Sequence, residues 1–230
     1  MSRIVVVTGG TRGIGAAIAQ RFLTAGDQVY APGRAKCDVT DEDAVARYFE
    51  GLGPVDVLVN NAGISASAPL SRTTLEQWRT QLDVNATGAF LCTRAVLPGM
   101  RESRSGRIIT VASTAAHIGY RYTAGYTASK HAAVGLMRAT AAEVAGTGIT
   151  ANAVCPAFVR TDMTAASVAR IREKTGRDEA DAEAALAAAS PLGRLLEPDE
   201  VAHAVAFFAA PEAAAINGQT LVLDGGGIQL

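Results

Sequence analysis

The chain has 230 residues, of which 49% are hydrophobic and 19% charged, with a formal net charge of −1. That length and apolar content suffice for one buried core, and residues 1–230 read as a single domain. The near-neutral balance offers no basic surface for nucleic acid, and the apolar runs are strand-sized, far short of a membrane span.

The opening residues, MSRIVVVTGG, lack the apolar stretch and cleavage site of a signal peptide. Cys37, Cys92 and Cys155 are dispersed without a C-x-x-C pattern, as reduced thiols would be, so the expected location is the cytoplasm. RIVVVT at 3–8 is short and β-branched and predicts a strand. Residues 13–25 place apolar side chains at helical spacing and end at Gly26. Further strands are predicted at 28–31, 55–60, 106–112, 148–154 and 218–224. Helices are predicted near 41–50, 75–100, 124–146 and 198–209. Strands that are apolar throughout belong to a parallel sheet covered on both faces, so the expected fold is a doubly wound α/β sheet. Residues 165–189 are helical in composition but interrupt the rhythm; the segment 160–195 is expected to serve as a substrate lid.

The first strand runs into TGGTRGIG, residues 8–15, and then into a helix. That order aims backbone N–H groups and the positive end of a helix dipole at phosphate. Gly9 permits the tight turn, Gly13 the close approach of a pyrophosphate, and Gly15 the packing of helix on strand. The spacing is G-x-x-x-G-x-G rather than G-x-G-x-x-G. In GYTASKHAA, Tyr126 and Lys130 lie one helical turn apart on one face. Taken alone, the pair is either a packing tyrosine beside a solvated lysine or a phenol whose acidity its neighbour tunes. Ser113 ends a strand at the carboxyl edge, where open α/β sheets bind ligands. His117, His131 and His203 are dispersed without metal-ligand spacing, His117 reading as a loop histidine without a partner, and no metal site is expected.

TGGTRGIG, NNAG at 60–63, Asn85, Ser113 and YTASK at 126–130 together resemble the short-chain dehydrogenase/reductase family over almost the whole chain. The resemblance implies a one-domain Rossmann fold that binds a nicotinamide dinucleotide at the carboxyl ends of the strands. It implies catalysis by Asn85, Ser113, Tyr126 and Lys130. Tyr126 would exchange the proton of the alcohol, and Lys130 would lower its pKa and hold the nicotinamide ribose. Ser113 would orient the substrate oxygen, and Asn85 would kink its helix and anchor a water leading to Lys130. Cofactor contacts are expected from Gly9, Thr11, Arg12, Gly13, Ile14 and Gly15 of the turn, and from Asp38 and Val39 at the adenine. Asn61, Ala62 and Gly63 are expected at the adenosine ribose, and Pro156, Val159 and Thr161 near the nicotinamide. Pro156-Ala157 stands where the family usually has Pro-Gly.

The second strand ends at Gly33-Arg34 without a carboxylate, and Arg12 lies within reach, so a 2′-phosphate and hence NADP is preferred to NAD. Asp38 reads equally as a helix N-terminal carboxylate, with Thr40 and Asp41 the better caps. The link APGRAKCDVTD is shorter than the family's usual one, which carries a helix. The stretches around 126–136 and 147–163 look closest to β-ketoacyl and polyketide ketoreductases and to 3-hydroxyacid dehydrogenases. A pocket is expected from residues after Ser113, from 62–68 and from 160–195, with Tyr120 and Tyr122 leaving room for an extended ketone. Arg170, Arg172, Lys174 and Arg177, interleaved with acids, read as a solvated helix. A homotetramer is the family's usual assembly. The alternatives are an NAD-dependent alcohol or 3-hydroxyacid dehydrogenase and a dinucleotide-sensing binding protein.

Overall fold

A computed structural model describes residues 2–229. The six β-branched runs form β1 (Ile4–Val7), β2 (Gln28–Tyr30), β3 (Val57–Asn60), β4 (Gly106–Val111), β5 (Ile149–Pro156) and β6 (Thr220–Leu223). They pair in parallel in the order β2-β1-β3-β4-β5-β6. Strand order reverses between β1 and β3, and it is at such a switch point that ligands settle beyond the carboxyl ends. The fold is the expected Rossmann-type sheet.

Because alternate side chains point to opposite faces, each strand feeds two cores. Val6, Leu58 and Ile108 pack against α2 (Glu42–Glu50), α4 (Gly88–Ser103) and α5 (Ala124–Glu143). Val5, Val7, Val57, Val59, Ile109 and Val111 pack against α1 (Gly13–Thr24) and α8 (Pro198–Ala209). The all-apolar strands predicted this two-sided cover.

Two helix boundaries differ from the sequence pattern. Instead of one helix over 75–100, α3 (Leu75–Leu82) passes through a π-helical turn, Asp83–Thr87, into α4. The wider turn turns the Asn85 side chain to Ile64, whose N–H it accepts and whose carbonyl it donates to, both at 2.9 Å. The 165–189 stretch is two helices, α6 (Asp162–Thr175) and α7 (Glu179–Ala187). Gly176, in the left-handed region at φ 70°, ends the first, and the Asp178 carboxylate caps the second by accepting the Asp181 N–H. Asp41 caps α2 as expected. The short link after β2 folds back through Cys37 and Val39 into the core without a further strand, which leaves β2 at the sheet edge.

Leu58→Ala at a fully buried site should lower unfolding stability by about 3 kcal/mol. Leu70→Ala, at a residue 72% exposed, should change it by no more than about 0.5 kcal/mol. Urea unfolding of the two variants checks both.

Candidate active site

The glycine turn and the NNAG turn are built against each other. Thr8, buried at the end of β1, accepts the N–H groups of Asn61 (3.1 Å) and Ala62 (3.0 Å) on its hydroxyl. The Asn61 amide donates back to the carbonyls of Thr8 (2.9 Å) and Gly9 (3.2 Å). Gly9 adopts φ 63° and Gly13 φ 52°, which L side chains rarely take. A Cβ on Gly15 would lie 2.4 Å from the Gly9 carbonyl oxygen, and one on Gly10 2.6 Å from the Ala31 side chain. Thr8 and Gly10 escaped the sequence reading, although both stand where the first strand meets its turn.

Among the described residues, Asp41, Thr74, Thr161 and Asp178 cap α2, α3, α6 and α7 by their side chains, while α4 and α5 have no such cap. Likewise α1 has no side-chain cap and no acid in its first turn. Its N-terminal N–H groups, beside a turn whose Gly10 and Gly15 have no room for a side chain, fit the pyrophosphate of a dinucleotide. Thr11 packs over Gly33, whose Cβ would come 2.9 Å from its methyl group. Ile14 packs on the α1/α8 core.

The four catalytic candidates converge at the carboxyl edge of β4. Lys130, only 5% exposed, donates from Nζ to the Val111 carbonyl at 2.9 Å. The same Nζ stands 5.8 Å from the centroid of the Tyr126 ring. A Cβ on Gly63 would lie 3.2 Å from Asn85 Oδ1 and 3.5 Å from Lys130 Nζ, so a glycine there brings the three together. Asn85 also donates to Ser129 Oγ (2.8 Å), which in turn donates to the Tyr126 carbonyl (2.8 Å). Ser129 was another unflagged member of the site. Ser113, extended at φ −175°, accepts the Ala115 N–H at 3.1 Å and stands against the Tyr126 phenol.

Burial pushes the Tyr126 phenol up in this structure, and the Ser113 hydroxyl beside it pulls the other way. Burial also pushes the Lys130 ammonium down, to about 8. The i, i+4 spacing puts both groups on one face, but the ammonium is aimed at a backbone carbonyl.

The cofactor candidates divide. Arg34 donates from Nε to the Asp38 carboxylate at 2.9 Å, and Arg12 pairs with Asp162 at 3.4 Å; both arginines are largely exposed. Asp38 is held low chiefly by the hydroxyl and N–H of Thr40, with Arg34 adding to the effect. Val39 is buried in the core, where a Cβ on Gly88 would meet its side chain at 2.7 Å. Val159 is buried as well, so its backbone is what it offers a ligand; its carbonyl accepts the Thr164 hydroxyl at 2.6 Å. Thr161 caps α6, and its methyl group faces Gly13 across the cleft. Pro156 ends β5. His117 does have a partner: its Nε2 lies 3.3 Å from Sγ of Cys155, a thiol that burial pushes up to about 11. Arg172 and Lys174 pair with Glu179 and Glu173, as a solvated helix would, whereas Arg170 reaches Ser67.

The buried ammonium gives a pH-dependent prediction. Folded Lys130 titrates near 8 and the unfolded side chain at its ordinary 10.5, so the unfolded chain binds more protons between those values. The penalty, about 3 kcal/mol by the size of the shift, is complete below pH 8 and disappears as pH rises to 10.5. Lys130→Met should therefore raise stability at pH 7 by about 1–2 kcal/mol, after allowance for the orphaned Val111 carbonyl. Thermal melts at pH 7 and pH 10.5 should show that advantage and then its loss.

Known proteins are similar to this chain over nearly its full length. The family model described as enoyl-(acyl carrier protein) reductase matches residues 31–227. An acetoacetyl-CoA reductase of Shinella zoogloeoides is 39% identical over 247 aligned positions, covering 98% of this chain and 98% of that protein. The 3-oxoacyl-[acyl-carrier-protein] reductase MabA of Mycobacterium bovis is 40% identical, covering 98% of this chain and 93% of that protein. A crystal structure of the actinorhodin polyketide ketoreductase with NADPH superposes with a TM-score of 0.89 at 34% identity, covering 98% of this chain and 97% of that one. With matches across nearly its full length, the chain belongs to the short-chain dehydrogenase/reductase family.

Proposed function

We propose that the protein reduces a ketone to a secondary alcohol with NADPH, and that its substrate is a β-ketoacyl or polyketide-type carbonyl. The observation that carries this reading is the convergence of Tyr126, Ser113 and buried Lys130 beside the glycine turn at the sheet's carboxyl edge. NADPH, when bound, supplies the hydride. Ser113 holds the carbonyl oxygen, and Tyr126 donates the proton that the developing alkoxide needs. Lys130 holds the ribose hydroxyls, and Asn85 fixes the wall behind it. A dinucleotide-sensing protein would not need this acid/base set.

The cofactor contacts follow from the geometry around Arg34. Its Nε is engaged by Asp38, so the guanidinium is oriented with its terminal nitrogens available to a 2′-phosphate. The substrate class rests on the ketoacyl and acetoacetyl reductases that the chain resembles.

The segment 160–195 acts as the lid, with Arg170 of α6 bridging the mouth to Ser67. A homotetramer is supported by exposed Phe90 on α4 and by a stripe of small exposed residues, Ala132, Gly135 and Ala139, on α5. Three buried free cysteines support a reducing, cytoplasmic setting, and among the described residues no helix is long and apolar enough to cross a membrane.

Tyr126→Phe should lower kcat by at least about 100-fold while leaving the NADPH Kd within about twofold, as loss of a general acid does. Absorbance assays with a panel of ketones and β-ketoacyl thioesters, together with fluorescence titration of the cofactor, check this. Arg34→Ala should weaken NADPH roughly tenfold or more, the worth of a charge-assisted hydrogen bond, and NADH less than about twofold. Tighter binding of NADH than NADPH by the unaltered protein, insensitive to Arg34→Ala, would favour the NAD reading instead.

A further inference from the structure

The substrate wall, residues 62–68, is tied to its surroundings at every second residue. Ile64 is held through its N–H and carbonyl by Asn85. The Ala66 N–H donates to Gln81 Oε1 at 3.0 Å. The Ala68 N–H donates to the Tyr122 carbonyl at 2.9 Å, and Tyr122 adopts φ 69°, a left-handed conformation that costs a non-glycine residue. In an extended chain, alternate N–H groups point to one side, so these three ties close one edge of the wall.

The middle tie is the unexpected one. Gln81 is 2% exposed on the last turn of α3, a position where an apolar side chain would pack at no polar cost. Its Nε2 donates back to the Gln77 carbonyl at 3.3 Å, leaving Oε1 for the wall. A Cβ on Gly125 would stand 2.6 Å from that Nε2. The residue immediately before Tyr126 is thus a glycine where the Gln81 amide takes up the room. Gln81 lies one helical turn before Asn85, and the two side chains clamp neighbouring points of one wall against the helix that carries the phenol.

We propose that Gln81 is a positioning residue that sets the distance between the substrate wall and Tyr126, and so governs how the carbonyl substrate is seated, without touching substrate or cofactor. The proposal rests on the carbonyl-reductase reading above. Gln81→Met keeps the length of the side chain and removes the acceptor. It should lower kcat/KM for the ketone about tenfold, mainly through KM, as expected when a part-buried N–H loses its partner. The NADPH Kd should stay within about twofold and the melting temperature within a few degrees. Hydrogen exchange at the Ala66 amide should quicken at least about tenfold.

Gly125→Ala, which presses a methyl group on the same amide, should produce the same pattern. Gln81→Ala combined with Gly125→Ala should be no worse than Gln81→Ala alone, because the two residues share one contact. Unchanged kcat/KM and unchanged Ala66 exchange in Gln81→Met would overturn the proposal. So would a parallel fall in cofactor affinity and melting temperature, the sign of a merely structural role. Should Gln81→Met fail to fold, the Gly125→Ala measurements decide. If the unaltered protein reduces no carbonyl, the functional reading fails by itself, and Ala66 exchange still judges the role of Gln81.

Discussion

The site depends on burying the Lys130 ammonium. A cation taken out of water costs several kcal/mol unless it is paired, and here its hydrogen-bond acceptor is the Val111 carbonyl at the end of β4. To reach it, α5 must lie over the sheet edge with its lysine turned inward. A glycine at residue 63 leaves room there, since a Cβ would stand 3.2 Å from Asn85 Oδ1 and in contact with Lys130. The 75–103 helical stretch must also open into a π-turn so that Asn85 can face Ile64 and Ser129. These adjustments fix one small volume beside Tyr126 and Ser113, and the glycine turn of β1 opens beside it.

Much of this was legible in the sequence because its causes are local. Short β-branched runs announced all six strands, and the Asp41 cap lies next to the helix it starts. The two-helix character of 162–187 was signalled by Gly176 and Asp178, which lay inside a stretch of helical composition that outweighed them. The resemblance implied a kink at Asn85, but the spacing of 75–100 could not show it as a π-turn, because the bonds that make it favourable run from Asn85 to Ile64, 21 residues away. The direction of the Tyr126 shift was hidden for the same reason. Spacing puts Lys130 on the phenol's face, but the Val111 carbonyl that takes its Nζ belongs to another element. His117 looked unpartnered because Cys155 is 38 residues away. Gln81 read as an ordinary helix residue, since only Ala66 and Gly125, brought in by the fold, give its amide a purpose.

The link from β2 to α2 spans only residues 31–41. The acetoacetyl-CoA reductase aligns over 247 positions against the 230 residues here, so the relative carries residues that this chain lacks. Cys37 and Val39 pass directly into the core, and Arg34 and Asp38 are left one turn apart as an ion pair at the surface. An exposed pair of this kind contributes little to stability. Its significance lies in orientation, since a guanidinium held through Nε keeps its fork free for phosphate.

The central claim is that hydride reaches a carbonyl carbon while Tyr126 supplies the proton. The most direct measurement follows the isotope: NADPH deuterated at C4 of the nicotinamide, on the transferred face, is incubated with the protein and an acetoacetyl thioester, and the product is read by mass spectrometry and NMR. The account predicts one deuterium on the new carbinol carbon. A reduced product that carries no deuterium on the carbinol carbon would contradict it.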